Sequence, residues 1–504
     1  MKKFLILGAA FLLSLSVSAQ FSRLGKGVEY KGELSGTFSG GDNAPFWLTE
    51  NKYGLSSVEN NSGYLRGSVF RPIETDSLRK WRIGYGVDLA VPVNYTSHFV
   101  VQQLYADFQY KLVRLTVGQK EYAMPFKNNE LSSGGMVFGI NARPIPQVRL
   151  ELPDWWNISG KAKLVFIKGH LAYGMTTDNG WKEDFNPNWQ TNGDLMSKGV
   201  WYHSKAGYLK IGNAKKFPLE FVGGLEMISQ FGGEVWNAPV RYDDKSGYDG
   251  KYTNMNRGFK SFWHALVPGG SDASDGDYAN AEGNTVGSWN FVLSWTAKNW
   301  KLRAYMEHFF EDHSQMFFQY GWKDMLVGVE AELPKNPFVS DIVYEYLKTT
   351  DQSGSIYHDR TETFPVQISG QDNYYNHMIY GGYQHWGQAL GNPLLISPIY
   401  NEDGQITFYH NRIKSHHVGL SGHPCRDIDW RFLYSHTYSL GKYWRPTIDP
   451  QRCDAVMAEV TYTPHKLNGW KFKVAYGGHF GDLIGTSNGA QITIVKTGLI
   501  GKKK

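Results

Sequence analysis

Eight aromatic residues of this chain lie in segments without strand periodicity, next to Asn, Asp, His and Arg. They are Trp181, Trp189, Trp236, Trp263, Tyr374, Tyr375, Trp386 and Trp444. An exposed ring costs free energy unless it packs or binds a ligand. Because flat rings stack on the apolar faces of sugars and polar planar groups bond the hydroxyls, the pattern predicts carbohydrate binding. The alternative is that the long segments fold inward and use these rings as their own core.

The histidines do not form a recognisable catalytic or metal-binding motif. The sequence contains no His-Glu-x-x-His pattern and no glycine-rich phosphate loop with its lysine. The segment Gly419–His423 has the wrong spacing for the nucleophile turn of a hydrolase. His416 and His417 should point to opposite faces of a strand, so they are poorly placed to bind one ion together. We expect no enzymatic activity, no metal and no cofactor.

An acidic stretch lies among Gly and Ser in a long predicted loop. It contains Asp272, Asp275, Asp277 and Glu282. Hard cations take several such oxygen ligands, but the spacing is not that of an EF-hand. A solvated loop is the favoured interpretation, and a divalent-ion site is the alternative.

The elements that position these residues are predicted by alternating apolar and polar side chains. In one segment Trp300, Leu302, Ala304 and Met306 are apolar, and the residues between them are polar or amphipathic. Successive side chains of a strand point to opposite faces, so each such segment has one apolar and one polar side. Eighteen segments show the pattern: Glu29–Ser39, Gly63–Arg71, Trp81–Pro92, Phe99–Lys111, Val113–Gln119, Gly134–Ala142, Lys161–Gly174, Gly199–Ile211, Pro218–Gln230, Thr285–Ala297, Trp300–Glu311, Trp322–Leu333, Ser340–Thr349, Arg412–Ser421, Asp427–Ser439, Asp454–Thr463, Trp470–Phe480 and Gly489–Gly498.

The connections between the predicted strands alternate between short and long. Outer-membrane barrels have short periplasmic turns and long external loops, a pattern that a soluble sandwich has no reason to show. With both termini in the periplasm, the long connections Phe231–Asn284, Thr350–Asn411 and Gly441–Cys453 are predicted outside. The exception is Arg143–Gly160, a predicted periplasmic excursion. The sequence therefore predicts an all-β fold, a transmembrane barrel of about eighteen antiparallel strands.

Cys425 and Cys453 begin consecutive predicted strands, which places them at opposite ends of the barrel. A disulfide needs Cα atoms within about 7 Å. We therefore predict two free thiols.

Residues 1–19 have the features of a cleaved secretory signal peptide. Lys2 and Lys3 precede the apolar stretch Phe4–Val17, and small residues follow. Beyond it, no stretch approaches about 18 uninterrupted apolar residues, which excludes transmembrane helices. Residues 20–504 are predicted to form a single barrel domain, integral to the outer membrane and in contact with its lipid.

Composition agrees with a barrel. The mean hydropathy is −0.43, which a barrel tolerates because only every second strand residue meets lipid. Aromatic residues make up 15% of the chain, as girdles at two membrane interfaces require. The net charge of +5 is spread along the chain without a basic stripe, so nucleic acid is not a predicted partner.

Five stretches, taken in order, carry a resemblance to a known family. They are Gly40–Leu48, Asn51–Gly54, Ser132–Met136, Asn141–Gln147 and Gly387–Leu394. The series resembles the Wzi family of capsule-assembly outer-membrane proteins, in the form found in Bacteroides-type bacteria. The resemblance implies an eighteen-stranded barrel that acts as a cell-surface lectin and retains capsular polysaccharide or a related surface glycan. It also implies insertion by the barrel-insertion machinery, although this chain ends on Lys504 rather than on an aromatic residue.

Two functions remain open from the sequence. The first is a surface carbohydrate-binding barrel that retains capsular or related polysaccharide. The second is a passive diffusion channel, because eighteen strands enclose a lumen wide enough for water and solutes. Large aromatic-rich loops over the mouth favour the first function.

Overall fold

Alternating segments assemble into one antiparallel sheet of eighteen strands that closes on itself. The computed structural model describes residues 24–238, 251–255, 257–267, 283–311, 316, 322–352, 363 and 372–500. The predicted signal peptide, residues 1–19, lies outside the described residues. The strands are β1 Val28–Gly41, β2 Asn61–Arg71, β3 Trp81–Val93, β4 Val100–Tyr110, β5 Val113–Gln119, β6 Gln147–Asn157, β7 Val165–Met175, β8 Trp201–Gly212, β9 Leu219–Phe231, β10 Asn284–Thr296, β11 Lys301–Glu311, β12 Met325–Glu332, β13 Asp341–Lys348, β14 Ile413–Cys425, β15 Ile428–Lys442, β16 Arg445–Tyr462, β17 Trp470–Gly481 and β18 Ser487–Ile500.

The sheet closes because the first strand pairs with the last. Strand β1 pairs with β2 on one side and with β18 on the other, from Val28 opposite Ile500 to Gly41 opposite Ser487. Closure removes the unpaired edges that an open sheet would expose. The predicted eighteen-stranded barrel is confirmed.

Strand β17 shows the two faces that its alternation predicts. On β17, Val474 is 55% exposed, whereas its neighbour Ala475 is 2% exposed and faces the lumen. Val474 pairs with Val460 on β16 and with Ile492 on β18. These three outward residues form an apolar row at mid-strand, as a lipid-facing surface requires.

One predicted strand is wrong and another was missed. Gly134–Ala142 forms no strand; its residues are mostly buried, and a barrel strand would leave one face open to lipid. Gln147–Asn157, assigned to a periplasmic excursion, is the sixth strand. Its periodicity is interrupted because the pairing with β7 shifts between Leu152 and Trp156. The two errors compensate, so the predicted count still equals eighteen.

The connections of ten residues or more all lie at one end of the barrel, here named the long-loop end, and the opposite end is named the short-turn end. Residues 120–146 join β5 to β6 at the long-loop end, so the predicted excursion Arg143–Gly160 at the other end is wrong. The predicted long loop Gly441–Cys453 is also wrong, because β15 and β16 extend to a two-residue turn of Tyr443 and Trp444. Strand pairing through this segment satisfies backbone groups that a loop would leave to water.

Short helices and strands occur in the connections, most of them in those of the long-loop end. The helices are α1 Phe46–Thr49, α2 Asn179–Phe185, α3 Trp189–Asn192 and α4 Phe259–Leu266, with 3₁₀ turns at Ile73–Asp76, Gly160–Ala162 and Pro398–Tyr400. One small sheet has the three strands Met196–Lys198, Glu234–Trp236 and Tyr252–Asn254. A second pairs Asn376–His377 with Gly381–Gly382, and a third pairs Gln384–His385 with Gln388–Ala389. Among the described residues, every helix is too short or too polar to cross a membrane.

Rings line the outer wall at the short-turn end. The rings of Trp81 and Tyr110 lie 4.4 Å apart between centroids, and Phe217 meets Trp295 edge-on at 6.0 Å. Both pairs sit at strand ends beside short connections. This arrangement is an aromatic girdle of the kind found where a barrel leaves the hydrocarbon core.

The lipid-facing row predicts the effect of a charge at mid-strand. Val474→Arg should destabilise the barrel by about 2–4 kcal/mol, the cost of a lipid-facing cation near the bilayer midplane. The control is Lys473→Leu, which changes the adjacent lumen-facing side chain. In Lys473→Leu, Glu459 retains its ion pair with Arg431 at 2.9 Å, so the loss of barrel stability should be small. Urea titration of the barrel refolded into vesicles measures both. Equal losses would mean that the register is one residue off.

Cys425 offers a test of orientation in the unaltered chain. Both cysteines are free, as predicted; Cys425 is exposed at the short-turn end and Cys453 is buried within β16. If the short turns are periplasmic, a maleimide polymer too large for porins should label Cys425 only after the outer membrane is permeabilised. Glu183→Cys, in a connection at the long-loop end, should react on intact cells. Reaction of Cys425 on intact cells would reverse the orientation.

Candidate functional site

Three connections from the long-loop end fill the barrel lumen. Residues 42–58, 120–146 and 372–411 pack against inward-facing strand residues in one buried cluster. Trp47 of α1 is 1% exposed, and its ring lies 5.1 Å from that of His417 on the wall. The amide of Phe46 donates to His479 Nδ1 at 3.2 Å. We call these three segments together the plug.

Carboxylates of the barrel wall hold the plug. Glu345 accepts hydrogen bonds from Ser132 Oγ and from the Ser133 amide, both at 2.7 Å. Glu307 accepts from the amide of Met136 at 2.8 Å and pairs with Lys127 at 3.3 Å. Buried charges persist when they are paired and hydrogen-bonded, so the wall and the plug stabilise each other.

The five stretches that carry the family resemblance meet inside the plug. Asn392 Nδ2 donates to Ser133 Oγ at 3.2 Å and to the Gly134 carbonyl at 2.9 Å. The Asn51 amide donates to Asn141 Oδ1 at 2.8 Å. At Gly391, a Cβ would lie 2.1 Å from the Tyr375 hydroxyl, so only glycine allows this approach. The motifs therefore specify how the lumen is filled.

Tyr374 and Tyr375 are not exposed, contrary to the premise of their predicted role. Both are 0% exposed. The Tyr375 hydroxyl donates to the Met136 carbonyl at 2.5 Å, and the Tyr374 ring meets Phe309 edge-on at 4.7 Å. These rings are loop core, because burial inside a wide lumen requires large side chains to fill the space. The inward-folding alternative describes them.

Trp181 and Trp386 both lie at the turn of one small hairpin. Trp181 is 6% exposed and stacks on Phe185 at 4.8 Å. Trp386 and Gly387 form the turn between Gln384–His385 and Gln388–Ala389, with φ of 55° and 80°. A tryptophan at positive φ is strained. The partly exposed Trp386 ring lies 4.0 Å over the guanidinium of Arg143, which holds it there.

Trp189 and Trp236 come together with Tyr252 in what we call the ring row. The Trp189 and Trp236 rings meet edge-on at 5.5 Å, and Trp236 lies 5.3 Å from Tyr252. Lys198 Nζ lies 5.1 and 5.0 Å from the two tryptophan centroids and pairs with Glu183. Trp189 is buried, Trp236 is half-buried and Tyr252 is 46% exposed. The row therefore presents aromatic surface beside a cation and a carboxylate.

A second cluster surrounds Tyr409 at the tip of the β15–β16 hairpin, where Trp444 is 74% exposed. We call it the tip cluster. The Arg445 guanidinium and Lys442 Nζ lie 4.3 and 4.9 Å from the Tyr409 centroid. The Tyr409 hydroxyl donates to Asp403 at 2.7 Å, and this bond together with burial raises the pKa of Tyr409 to about 12. The cluster combines rings and cations at a protruding edge.

Sequence reasoning missed the residues that complete these clusters. They are Lys198, Tyr252, Tyr409, Lys442 and Arg445. Tyr409 and Tyr252 could be assigned only from tertiary contacts, because no local periodicity predicts the turns that bring Arg445 to the first and Trp236 to the second. Lys442 and Arg445 did carry a signal, since they bracket Tyr443 and Trp444 in a basic–aromatic–aromatic–basic run. Of the eight predicted residues, Trp263 alone lies on α4, away from both clusters.

Catalytic and metal chemistry have little support in the described part of the chain. The described ranges hold no group of His, Cys, Asp and Glu suited to a metal ion. The acidic residues Asp272, Asp275, Asp277 and Glu282 lie outside them. Gly485–Gly489 matches the Gly-x-Ser-x-Gly spacing, but it leads into β18, where Ser487 is buried and donates to the Gly40 carbonyl at 3.2 Å. A strand-to-helix nucleophile turn is therefore not formed.

Glu50 is a buried carboxyl inside the plug. It is 1% exposed, and the Tyr400 hydroxyl donates to it at 2.9 Å. Burial raises the pKa of Glu50 to about 7, although Tyr400 and Asn141 favour the charged form. Glu50 therefore titrates near neutral pH and couples α1 to the 372–411 connection.

No protein-family model matches this chain, and no curated protein does either. Solved structures do match. Wzi, an outer-membrane protein involved in group 1 capsule assembly in Escherichia coli and described as a carbohydrate-binding β-barrel, shares 13% identity; the match covers 95% of this chain and 86% of Wzi with a TM-score of 0.53. Acinetobacter baumannii OccAB4 shares 8% sequence identity; the match covers 94% of this chain and 99% of OccAB4, with a TM-score of 0.44. Pseudomonas aeruginosa OccK3 shares 10% sequence identity; the match covers 95% of this chain and 97% of OccK3, with a TM-score of 0.45. The similarity to Wzi shows a shared barrel fold.

The raised pKa of Glu50 predicts that plug stability falls as pH rises. In the unfolded chain the carboxyl ionises near its ordinary value of 4.5, whereas in the folded chain it stays protonated to about 7. The stabilisation that the protonated Glu50 contributes should be full below pH 4.5 and should be lost as the pH rises to about 7, by at most about 3 kcal/mol. Glu50→Gln should flatten this dependence and melt at a higher temperature than the wild type above pH 7.

Thermal melts followed by tryptophan fluorescence at acidic and alkaline pH measure the effect. The control is Glu59→Gln, an exposed carboxyl in the same connection, which should melt like the wild type at both pH values. Unchanged pH dependence in Glu50→Gln would show that this carboxyl does not control the plug.

Proposed function

We propose that this protein is an outer-membrane barrel that binds and retains capsular or related surface polysaccharide. We further propose that the long-loop end faces the cell exterior and that the protein belongs with the Wzi-type capsule-assembly barrels. The observation that carries the proposal is the ring row, where Trp236 and Tyr252 offer partly exposed rings beside Lys198 and Glu183. Rings of this kind stack on sugar faces, and the charged groups bond hydroxyl and acidic substituents.

The ring row has the rigidity that a binding surface needs. Its three strands, Met196–Lys198, Glu234–Trp236 and Tyr252–Asn254, pair in register. Buried Trp189 supports Trp236 from below, and Asn237 Nδ2 ties the sheet to the Asp194 carbonyl at 3.0 Å. Rings that are already ordered lose little conformational entropy when a ligand binds. Such a surface suits a weak but specific contact with a sugar.

The tip cluster and Trp386 extend the proposed surface across the long-loop end. Each combines a partly or fully exposed ring with an arginine, which is the residue set that the carbohydrate hypothesis requires. Of the eight predicted residues, Trp236, Trp386 and Trp444 remain candidate contacts, and Trp189 remains as their support. A repeating polymer could touch several of these points, so many weak contacts would sum to strong retention.

A diffusion channel is the alternative function, and the plug argues against it. The plug places large apolar side chains and hydrogen-bonded backbone across the lumen. In the described residues, the space left in the lumen includes adjoining cavities of about 330, 300 and 300 Å³. Their walls carry paired charges such as Arg149 with Glu151 at 2.8 Å. An open solute path is therefore not the favoured use of this lumen.

The double variant Trp236→Ala with Tyr252→Ala should weaken binding of purified surface polysaccharide by about tenfold, equal to about 1.4 kcal/mol. The loss should come without unfolding, because both rings lie outside the barrel core. The control removes Phe217 and Trp295, an exposed ring pair at the short-turn end. Binding is measured on immobilised polysaccharide. In cells, the amount of polysaccharide that stays on the cell surface is compared with the amount released into the medium.

Folding of each variant is checked by the shift in electrophoretic migration on heating. Unchanged polymer retention with a folded barrel would remove the ring row from the site. If deletion of the whole protein also leaves the polymer in place, polysaccharide retention is wrong. Steady conductance of the wild-type protein in a planar bilayer would then favour the channel.

A further inference from the structure

Helix α4 lies on the outer wall of the barrel rather than over its mouth. Residues of β7, β8 and β9 that face the lumen alternate with those that face outward, and Tyr173, Lys205 and Phe231 belong to the outward set. All three contact α4. Outward residues in this patch are nevertheless covered: Phe231 and His203 are each 0% exposed.

The inner face of α4 is fixed to the wall by apolar and polar contacts. The Phe262 ring packs 5.2 Å from both Tyr173 and Phe231. The Tyr173 hydroxyl donates to the Phe262 carbonyl at 2.7 Å. Lys205 Nζ donates to the carbonyls of Ala265 and Leu266, each at 2.7 Å. A lysine at the last carbonyls caps a helix and complements its dipole.

The opposite face of α4 is an apolar stripe. Phe259 and Trp263 lie four residues apart in the helix, which places them on one side of it, and Val267 follows as the extended residue at the C-terminal end of the helix. They are 88%, 54% and 48% exposed, measured on the described residues. A soluble surface would rarely leave such a row uncovered.

The height of α4 on the wall places the stripe at the edge of the membrane. The nine steps of β8 from Gly212 to His203 span about 30 Å along the strand. At a tilt of about 40° this is roughly 23 Å of height, close to the apolar band of about 25 Å that starts at the short-turn girdle. Leu209 and Ile211 below the helix are 41% and 48% exposed. The stripe thus continues the lipid-facing surface at its upper boundary.

We propose that α4 is an interfacial helix that inserts Phe259, Trp263 and Val267 into the outer leaflet of the membrane. Its partner is the boundary between lipid acyl chains and headgroups, where amphipathic helices bury their apolar face by about 5–10 Å and where tryptophan is enriched. The helix replaces the upper girdle over β7–β9, where the wall's own rings are covered. Trp263 is therefore a membrane contact and not a glycan contact.

The test uses full-length protein carrying Cys425→Ser, so that buried Cys453 is the only native thiol. Phe259→Cys is labelled with an environment-sensitive fluorophore after reconstitution into phosphatidylcholine–phosphatidylglycerol vesicles. We expect a blue shift of emission relative to the same fluorophore on Lys260→Cys, quenching by lipids with doxyl groups near the headgroup, and protection from aqueous iodide. Val267→Cys should behave in the same way if Phe259→Cys fails to fold.

Two matched controls set the scale. Lys260→Cys lies one residue away on a different side of the helix and should be quenched more strongly by iodide than Phe259→Cys. Leu209→Cys, on the lipid-facing wall, should be fully protected. Iodide quenching of Phe259→Cys equal to that of Lys260→Cys, without lipid quenching, would overturn the proposal. So would a loss of polysaccharide binding in Trp263→Ala, because the stripe would then belong to the glycan surface.

Discussion

Wall carboxylates that face the lumen impose the constraint on which the rest of this structure depends. Glu307 and Glu345 are 5% and 1% exposed, and a buried carboxylate is costly unless donors surround it. The backbone of residues 132–136 supplies those donors, together with Lys127. Tyr305 adds a hydroxyl to Glu345 at 2.7 Å. The segment from β5 to β6 is therefore drawn into the barrel instead of extending over its mouth.

Glycines make this arrangement sterically possible. The Tyr305 ring crosses Gly328 on the neighbouring strand to reach Glu345, and a Cβ at Gly328 would lie 2.3 Å from that ring. Gly391 allows Tyr375 to reach the Met136 carbonyl in the same way. Close approach of this kind is a use that only glycine serves. The glycine-rich motifs are thus parts of a packed interior and not flexible loops.

Filling the lumen moves the remaining chemistry to the rims of the barrel. With Tyr374 and Tyr375 committed to the plug, the partly exposed rings that lie beside cations at the long-loop end include those of the small sheet around Trp236, the Trp386 turn and the β15–β16 hairpin tip. The outer wall takes a different set of rings. There the short-turn girdle and α4 bound the lipid-facing surface, so aromatic residues serve three separate environments in one chain.

The predicted count of eighteen strands was right because one wrong and one missed strand compensate. What the sequence by itself determined is the alternating strands of the barrel, the two faces of most of them and the length of most connections. These properties depend on residue alternation along the chain, which is local and is read directly from neighbours. Only the tertiary structure decided which rings are exposed. Tyr375 is buried because its contacts, such as the Met136 carbonyl, come from residues more than a hundred positions away in the chain. Tyr252 is exposed because it lies in the small three-stranded sheet. The same reason explains why Gly134–Ala142 was taken for a strand, since alternation cannot distinguish a lipid-facing strand from a segment buried on all sides by the wall.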